Sequence, residues 1–163
     1  MKNLVLGVGI NDRSRPVFVN GKAVKEYNLW YIYDWCHKQT GFGNIDEKGR
    51  SWCLDKDLLF IGNKTYSETA CVFVPHKINS FFTDSGNARG EYPVGVGFHK
   101  ASGKFAAQCW VNGKRQHLGL YNTPEEAFTV YKPFKEALCK QLALKWQSEI
   151  DQRLFNAMMN WSV

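Results

Sequence analysis

The stretch KFAAQCWVNGKRQHLGLYNTPEEAF, residues 104–128, decides how the second half of the chain folds. Two runs meet at Asn112-Gly113, a dipeptide that favours the left-handed backbone of a tight hairpin turn. In the first run Phe105, Ala107, Cys109 and Val111 alternate with Lys104, Ala106, Gln108, Trp110 and Asn112. In the second, Gln116, Leu118 and Leu120 alternate with Arg115, His117 and Gly119. A period of two predicts paired strands with one mostly apolar face and one polar, basic face. Upstream, YPVGVGFHK (92–100) reads as a further strand, set off by Ala101-Ser102-Gly103. Downstream, Thr123 can cap a helix, Pro124 suits its first turn, and Glu126 closes a capping box. That helix should turn Ala127, Phe128, Tyr131, Phe134, Leu138 and Leu142 toward the sheet. Pro133 is expected to kink or break it. A second helix, largely solvated, is expected around 148–160.

Charge gives the polar face a meaning. The chain has 163 residues and a formal net charge of +6. Residues 1–88 hold eleven Lys/Arg against nine Asp/Glu, whereas 92–122 hold Lys100, Lys104, Lys114 and Arg115 and no acid. His99, Lys104, Gln108, Trp110, Arg115 and His117 fall on the predicted polar face, and Lys100 and Lys114 add charge. A narrow sheet can enter the major groove of B-DNA, where base edges are distinguishable. Arg115 suits guanine, Gln108 suits adenine, and the lysines suit phosphate. An ordinary solvated face with a stray Trp is the alternative.

Other function classes are excluded or left unsupported. No apolar run approaches the roughly 20 residues that span a bilayer. The start MKNLVLGVGIND lacks a long apolar core and a small-residue cleavage site, so the chain is expected to stay in the cytosol. Cys36, Cys53, Cys71, Cys109 and Cys139 are scattered singly, which argues for reduced, mostly buried thiols. Gly7 and Gly9 lack the third glycine of a dinucleotide fingerprint. TDSGNARGE (83–91) is rich in turn formers and reads as a linker between 1–82 and 92–163. Tyr27, Trp30, Tyr31, Tyr33 and Trp35 fall at helical spacing, as core packing or as a stacking platform for unpaired bases.

The first half contains LDKDLLFIGNKTYSETACVFVPHKIN, residues 54–79. Asp55-Lys56-Asp57 ends an apolar strand, Gly62-Asn63-Lys64 makes a turn, Cys71-Val72-Phe73-Val74 is a second strand, and Pro75 opens a helix carrying Asn79. The fold class is therefore α+β: a ββα module, then a three-stranded antiparallel sheet packed on a C-terminal helix. Lysine is a poor general base at neutral pH unless burial depresses its pKa. His76, one helical turn before Asn79, is an alternative base or simply an exposed His near a helix start. Asp55 and Asp57 are candidate oxygen donors or a solvated pair balanced by Lys or Arg.

Two resemblances sharpen these expectations. Gly95-Val96, Lys104-Phe105-Ala106-Ala107, Leu118-Gly119-Leu120-Tyr121 and Thr123-Pro124-Glu125-Glu126-Ala127 occur in an order that resembles the APETALA-type DNA-binding domain of plant transcription factors and phage homing endonucleases. That resemblance covers a quarter of the chain and implies a sheet laid in the major groove. Gly97 stands where the family often carries arginine. Gly62-Asn63-Lys64-Thr65, Val72-Phe73-Val74-Pro75 and Asn79 resemble the HNH modules of phage homing endonucleases, as does Gly7-Val8-Gly9-Ile10-Asn11-Asp12. This second resemblance implies a divalent metal, in the first place magnesium, held by Asp55 and Asn79. Lys56 or Asp57 stands where the base histidine is expected, with His76 as the substitute, and Ala70 lies near the place of the loop-pinning Asn. Trp30–Cys36 stands in a shortened version of the region before the LDKD motif. The implied protein is a phage DNA endonuclease acting on double-stranded DNA in the cytoplasm of the infected bacterial host. The alternative is an inactive nuclease-derived binder, acting as a repressor or by docking on a host defence complex.

Overall fold

The computed structural model describes residues 17–19, 22–24, 34–64, 66–83 and 91–163. The chain divides into two compact units, Met1–Thr83 with Ala143–Met159, and Asp84–Leu142 with Asn160–Val163. The opening Gly7–Asp12, the aromatic residues Tyr27 to Tyr33 and most of the expected linker lie outside the described residues.

In the first unit β1 (Val17–Val19) pairs antiparallel with β2 (Lys22–Val24) and parallel with β4 (Tyr66–Ser67). A separate two-stranded sheet joins β3 (Cys53–Asp55) antiparallel to β5 (Val72–Val74), with Cys53 opposite Val74 and Asp55 opposite Val72. All three β5 residues are buried, as expected of a short β-branched and aromatic run. Pro75 then caps α1 (His76–Phe82), where its fixed φ and missing N–H cost nothing. Two strands followed by a short helix were the expected frame.

The same unit holds the last turn of a long helix and α3 (Gln152–Met159). Trp146 meets Trp52 edge to face, ring centres 5.7 Å apart. The Arg153 guanidinium donates to the carbonyls of Glu68, Thr69 and Cys71 at 3.3–3.4 Å and to the Asp151 carboxylate at 2.8 Å. Leu154 and Met158 are buried, so α3 is a packed element and not the largely solvated helix expected.

The second unit is the sheet β6 (Val96–His99), β7 (Lys104–Val111) and β8 (Lys114–Tyr121), antiparallel in that order, packed on α2 (Pro124–Trp146). Asn112 has φ 50° and Gly113 φ 77°, the two left-handed residues that the Asn-Gly turn requires. Ala107, Cys109, Ala127 and Tyr131 form the buried centre, flanked by Val96, Phe105, Leu118, Tyr121, Phe128, Phe134 and Leu138. Thr123 Oγ1 accepts the Glu126 N–H at 3.2 Å, and the Glu126 carboxylate accepts the Asn122 N–H at 3.0 Å. Gly95 has φ 76°, and a methyl group there would overlap the Tyr131 ring.

Two further expectations are refined. Pro133 lies inside α2 without ending it, and the helix runs through it to Trp146. A proline inside a helix costs roughly 3 kcal/mol. Phe134 and Leu138 offset that by packing on the sheet, since burying such a side chain contributes roughly 1.5–3 kcal/mol. Leu120 does not lie on the apolar face. The register shifts between Ala107 and Gln108, so that Ala107 faces Gly119 while Gln108 faces His117. Leu118 is thus an extra residue in β8, and Leu120 turns outward opposite Ala106 and is exposed.

Candidate functional site

The outward face of the second unit is built by strand alternation and the bulge. Cross-strand partners share a face, so the pairs His99–Lys104, Gly97–Ala106, Gln108–His117, Trp110–Arg115 and Ala106–Leu120 lie on the side away from α2. Trp110 is 62% exposed, and the Arg115 guanidinium carbon lies 5.4 Å from its ring centre. His117 and Lys104 are exposed and Gln108 is half-buried. His99 Nδ1 lies 2.8 Å from Ser102 Oγ, within the turn that carries Lys100. Lys114 pairs with Val111 at the hairpin end and therefore leans to the opposite side from Trp110. Six of the eight expected contact residues thus share one face, with Lys100 at its turn and Lys114 at its margin. Leu120 joins this face, and the glycine inside its strand was the available signal of a bulge.

The second candidate site is the turn from β3 toward β4 and the start of α1. Asp55 Oδ1 accepts the N–H groups of Asp57 and Leu58, each at 2.9 Å. Burial pushes the Asp55 carboxyl above its ordinary range, and the neighbouring Asp57 adds to the rise, while the two N–H bonds oppose it. Lys56 Nζ lies 3.5 Å from Asp57 Oδ2 and 5.9 Å from the centre of the Tyr66 ring. Asn63 Nδ2 donates to the Lys56 carbonyl at 2.7 Å and so pins the 56–63 loop. His76 begins α1, and Cys53 Sγ lies 3.4 Å from its Nε2. Cys53 and Asp55 share a face of β3, so the start of α1 lies on the Asp55 side. Asn79 is half-buried in the middle of α1, its carbonyl accepting the N–H and hydroxyl of Thr83. Among the described residues no three His, Cys, Asp or Glu side chains gather as a metal cluster. No described helix is long and apolar enough to cross a membrane. Comparison with protein-family models, with curated proteins and with solved structures finds no match.

Proposed function

We propose that the chain is a DNA-binding protein of the HNH homing-endonuclease type, which holds duplex DNA on the open face of its three-stranded sheet and nicks or cleaves it with a divalent metal. The observation that carries this reading is the Trp110–Arg115 pair, an exposed indole under a guanidinium on a face whose strands hold no acid. Stacking fixes the guanidinium plane and leaves its edge for a guanine or a phosphate. Lys104 suits a phosphate, and the Gln108 amide suits an adenine edge. The resemblance of residues 90–131 to APETALA-type domains points the same way.

The chemistry belongs to the β3–α1 frame. Asp55 is a half-buried carboxylate beside a second one, a combination that a bound hard cation would relieve. Asp55 and Asn79 would hold that cation, and magnesium there supplies charge neutralisation at the scissile phosphate. In this reading His76, at the start of α1 on the Asp55 side, would accept a proton from water at a ring nitrogen. Lys56, held by Asp57 and the Tyr66 ring, suits an anionic phosphate better than a base role.

A second reading has its own support. Asp55 Oδ1 already accepts two backbone N–H groups, which is a sufficient structural use for that residue. The chain would then be a nuclease-derived binder without catalysis, a repressor or an inhibitor of a host defence complex. A supercoiled-plasmid nicking assay with magnesium and manganese, run beside a mobility shift on the same DNA, separates the two. Nicking that needs metal and Asp55 supports the enzyme; a shift without nicking supports the binder; neither overturns both.

A further inference from the structure

The open face of the three-stranded sheet carries an apolar patch beside its cationic pair. Ala106, in the central strand, has Gly97 as its partner on β6 and Leu120 as its partner on β8, so the three residues share that face. Leu120 is 38% exposed, whereas Ala106 is 2% exposed. A Cβ built on Gly97 meets nothing within 4 Å. The patch is therefore low: a sunken methyl floor, one accessible isobutyl group on the β8 side, and open space on the β6 side. Its surroundings are polar. Lys104 and Gln108 stand two residues to either side of Ala106 in β7, on the same face and about 7 Å away. Residues 92–122 hold four Lys/Arg and no acid. That charge favours a polyanion as the occupant. A polyanion that also presents small apolar groups is duplex DNA, whose major groove carries the C5-methyl of thymine.

We propose that Leu120, above the Ala106 floor, receives the C5-methyl of a thymine, so that the sheet selects A·T pairs at this end and guanine at the Arg115 end. The inference rests on the duplex-binding reading above and adds the base that the apolar end takes. Leu120 supplies what neither a cation nor an amide can, an apolar contact that tells thymine from cytosine. Gln108, next on this face of β7, then meets the N6 and N7 edge of an adenine in the same or a neighbouring pair. Burial of one methyl group against Leu120 is worth about fourfold in affinity.

A randomised duplex pool is selected on the full chain, and a retained sequence is synthesised twice, once with thymine and once with deoxyuridine at every thymine position. Mobility shifts then compare the two duplexes, which differ only in C5-methyl groups. The unaltered chain should bind the thymine duplex about fourfold more tightly for each methyl in contact. Leu120→Ala should lose most of that difference. Leu120→Gln, which keeps the length of the side chain and removes its apolar end, should do the same. Retained sequences without thymine, equal affinity for the two duplexes, or a full difference in a folded Leu120 variant would each overturn the inference while leaving duplex binding in place. A pool from which nothing is retained overturns duplex binding and the inference together.

Discussion

Trp110 and Arg115 face each other across β7 and β8, and the guanidinium carbon sits 5.4 Å from the indole centre on the side away from the core. The pair is outside the packed interior, so its removal tests binding without confounding stability. Trp110→Ala and Arg115→Ala should each weaken duplex binding in a mobility shift while moving unfolding free energy by less than about 0.5 kcal/mol. Arg115→Ala should also reduce the slope of log affinity against log salt by roughly 1. An unchanged salt slope in a folded Arg115→Ala protein would remove that residue from the interface.

Gly97 offers the reverse experiment. It lies on the same face opposite Ala106, and a Cβ built on it meets nothing within 4 Å. Its backbone is not left-handed, so an L-residue is tolerated. Gly97→Arg should fold normally and tighten DNA binding, by about 1–3 kcal/mol if the new guanidinium finds a guanine. Equal or weaker affinity would mean that DNA does not reach that part of the sheet.

Asp55 has a structural use and a proposed chemical one, and two substitutions separate them. Asp55→Ala removes the acceptor for two N–H groups and should destabilise the first unit by about 1–3 kcal/mol, read in denaturant. Asp55→Asn keeps a carbonyl oxygen at that place and should cost less. Asp55→Ala should abolish magnesium-dependent nicking, and Asp55→Asn, which keeps an oxygen donor but loses the charge, should weaken it. Nicking by a folded Ala variant at the original rate would exclude Asp55 as a cation ligand.

Gly95 is tied to Tyr131 by lack of space as well as by φ 76°. Gly95→Ala should therefore destabilise the second unit by more than about 1 kcal/mol. Tyr131→Ala should relieve part of that loss, so a double-mutant cycle should show coupling between the two sites.

The Arg153 side chain holds the Asp151 carboxyl below its ordinary range, chiefly through their hydrogen bond. A folded-state pKa below the unfolded value near 3.9 stabilises the fold above that pH. The contribution is lost as pH falls through the folded value. Acid unfolding curves should show this dependence below about pH 4, and Arg153→Met should flatten it. The same substitution frees three carbonyls of the 68–71 segment and should lower stability at neutral pH as well.

Local signals carried the second unit. Alternation put Trp110 and Arg115 on one side, Asn112-Gly113 set the turn, and Thr123 with Glu126 marked the start of α2. A period of two counts residues and cannot see an inserted one, which is why Leu120 was assigned to the wrong face. Pro133 was read by its local penalty, while the packing of Phe134 and Leu138 on the sheet is non-local. The first unit was legible where strand and helix follow each other directly, from Val72 to Asn79. The contacts of His76 with Cys53 and of Arg153 with residues 68–71 join distant segments, and no window of sequence contains both partners. Asn63 was visible only as a turn former; its bond to the Lys56 carbonyl needed coordinates.

The supernumerary Leu118 lets β8 behave as two short strands in series, braced where the Tyr121 hydroxyl donates to the Leu118 carbonyl at 3.1 Å. Deleting Leu118 would make the ladder continuous while keeping Gly119 opposite Ala107, Leu120 opposite Ala106 and Tyr121 opposite Phe105, so each residue beyond it would stay on its present face. The hairpin end with Trp110 and Arg115 would keep its pairing. The bulge therefore absorbs a difference of one residue in length within β8, and both ends of the surface hold their side chains whether or not that residue is present.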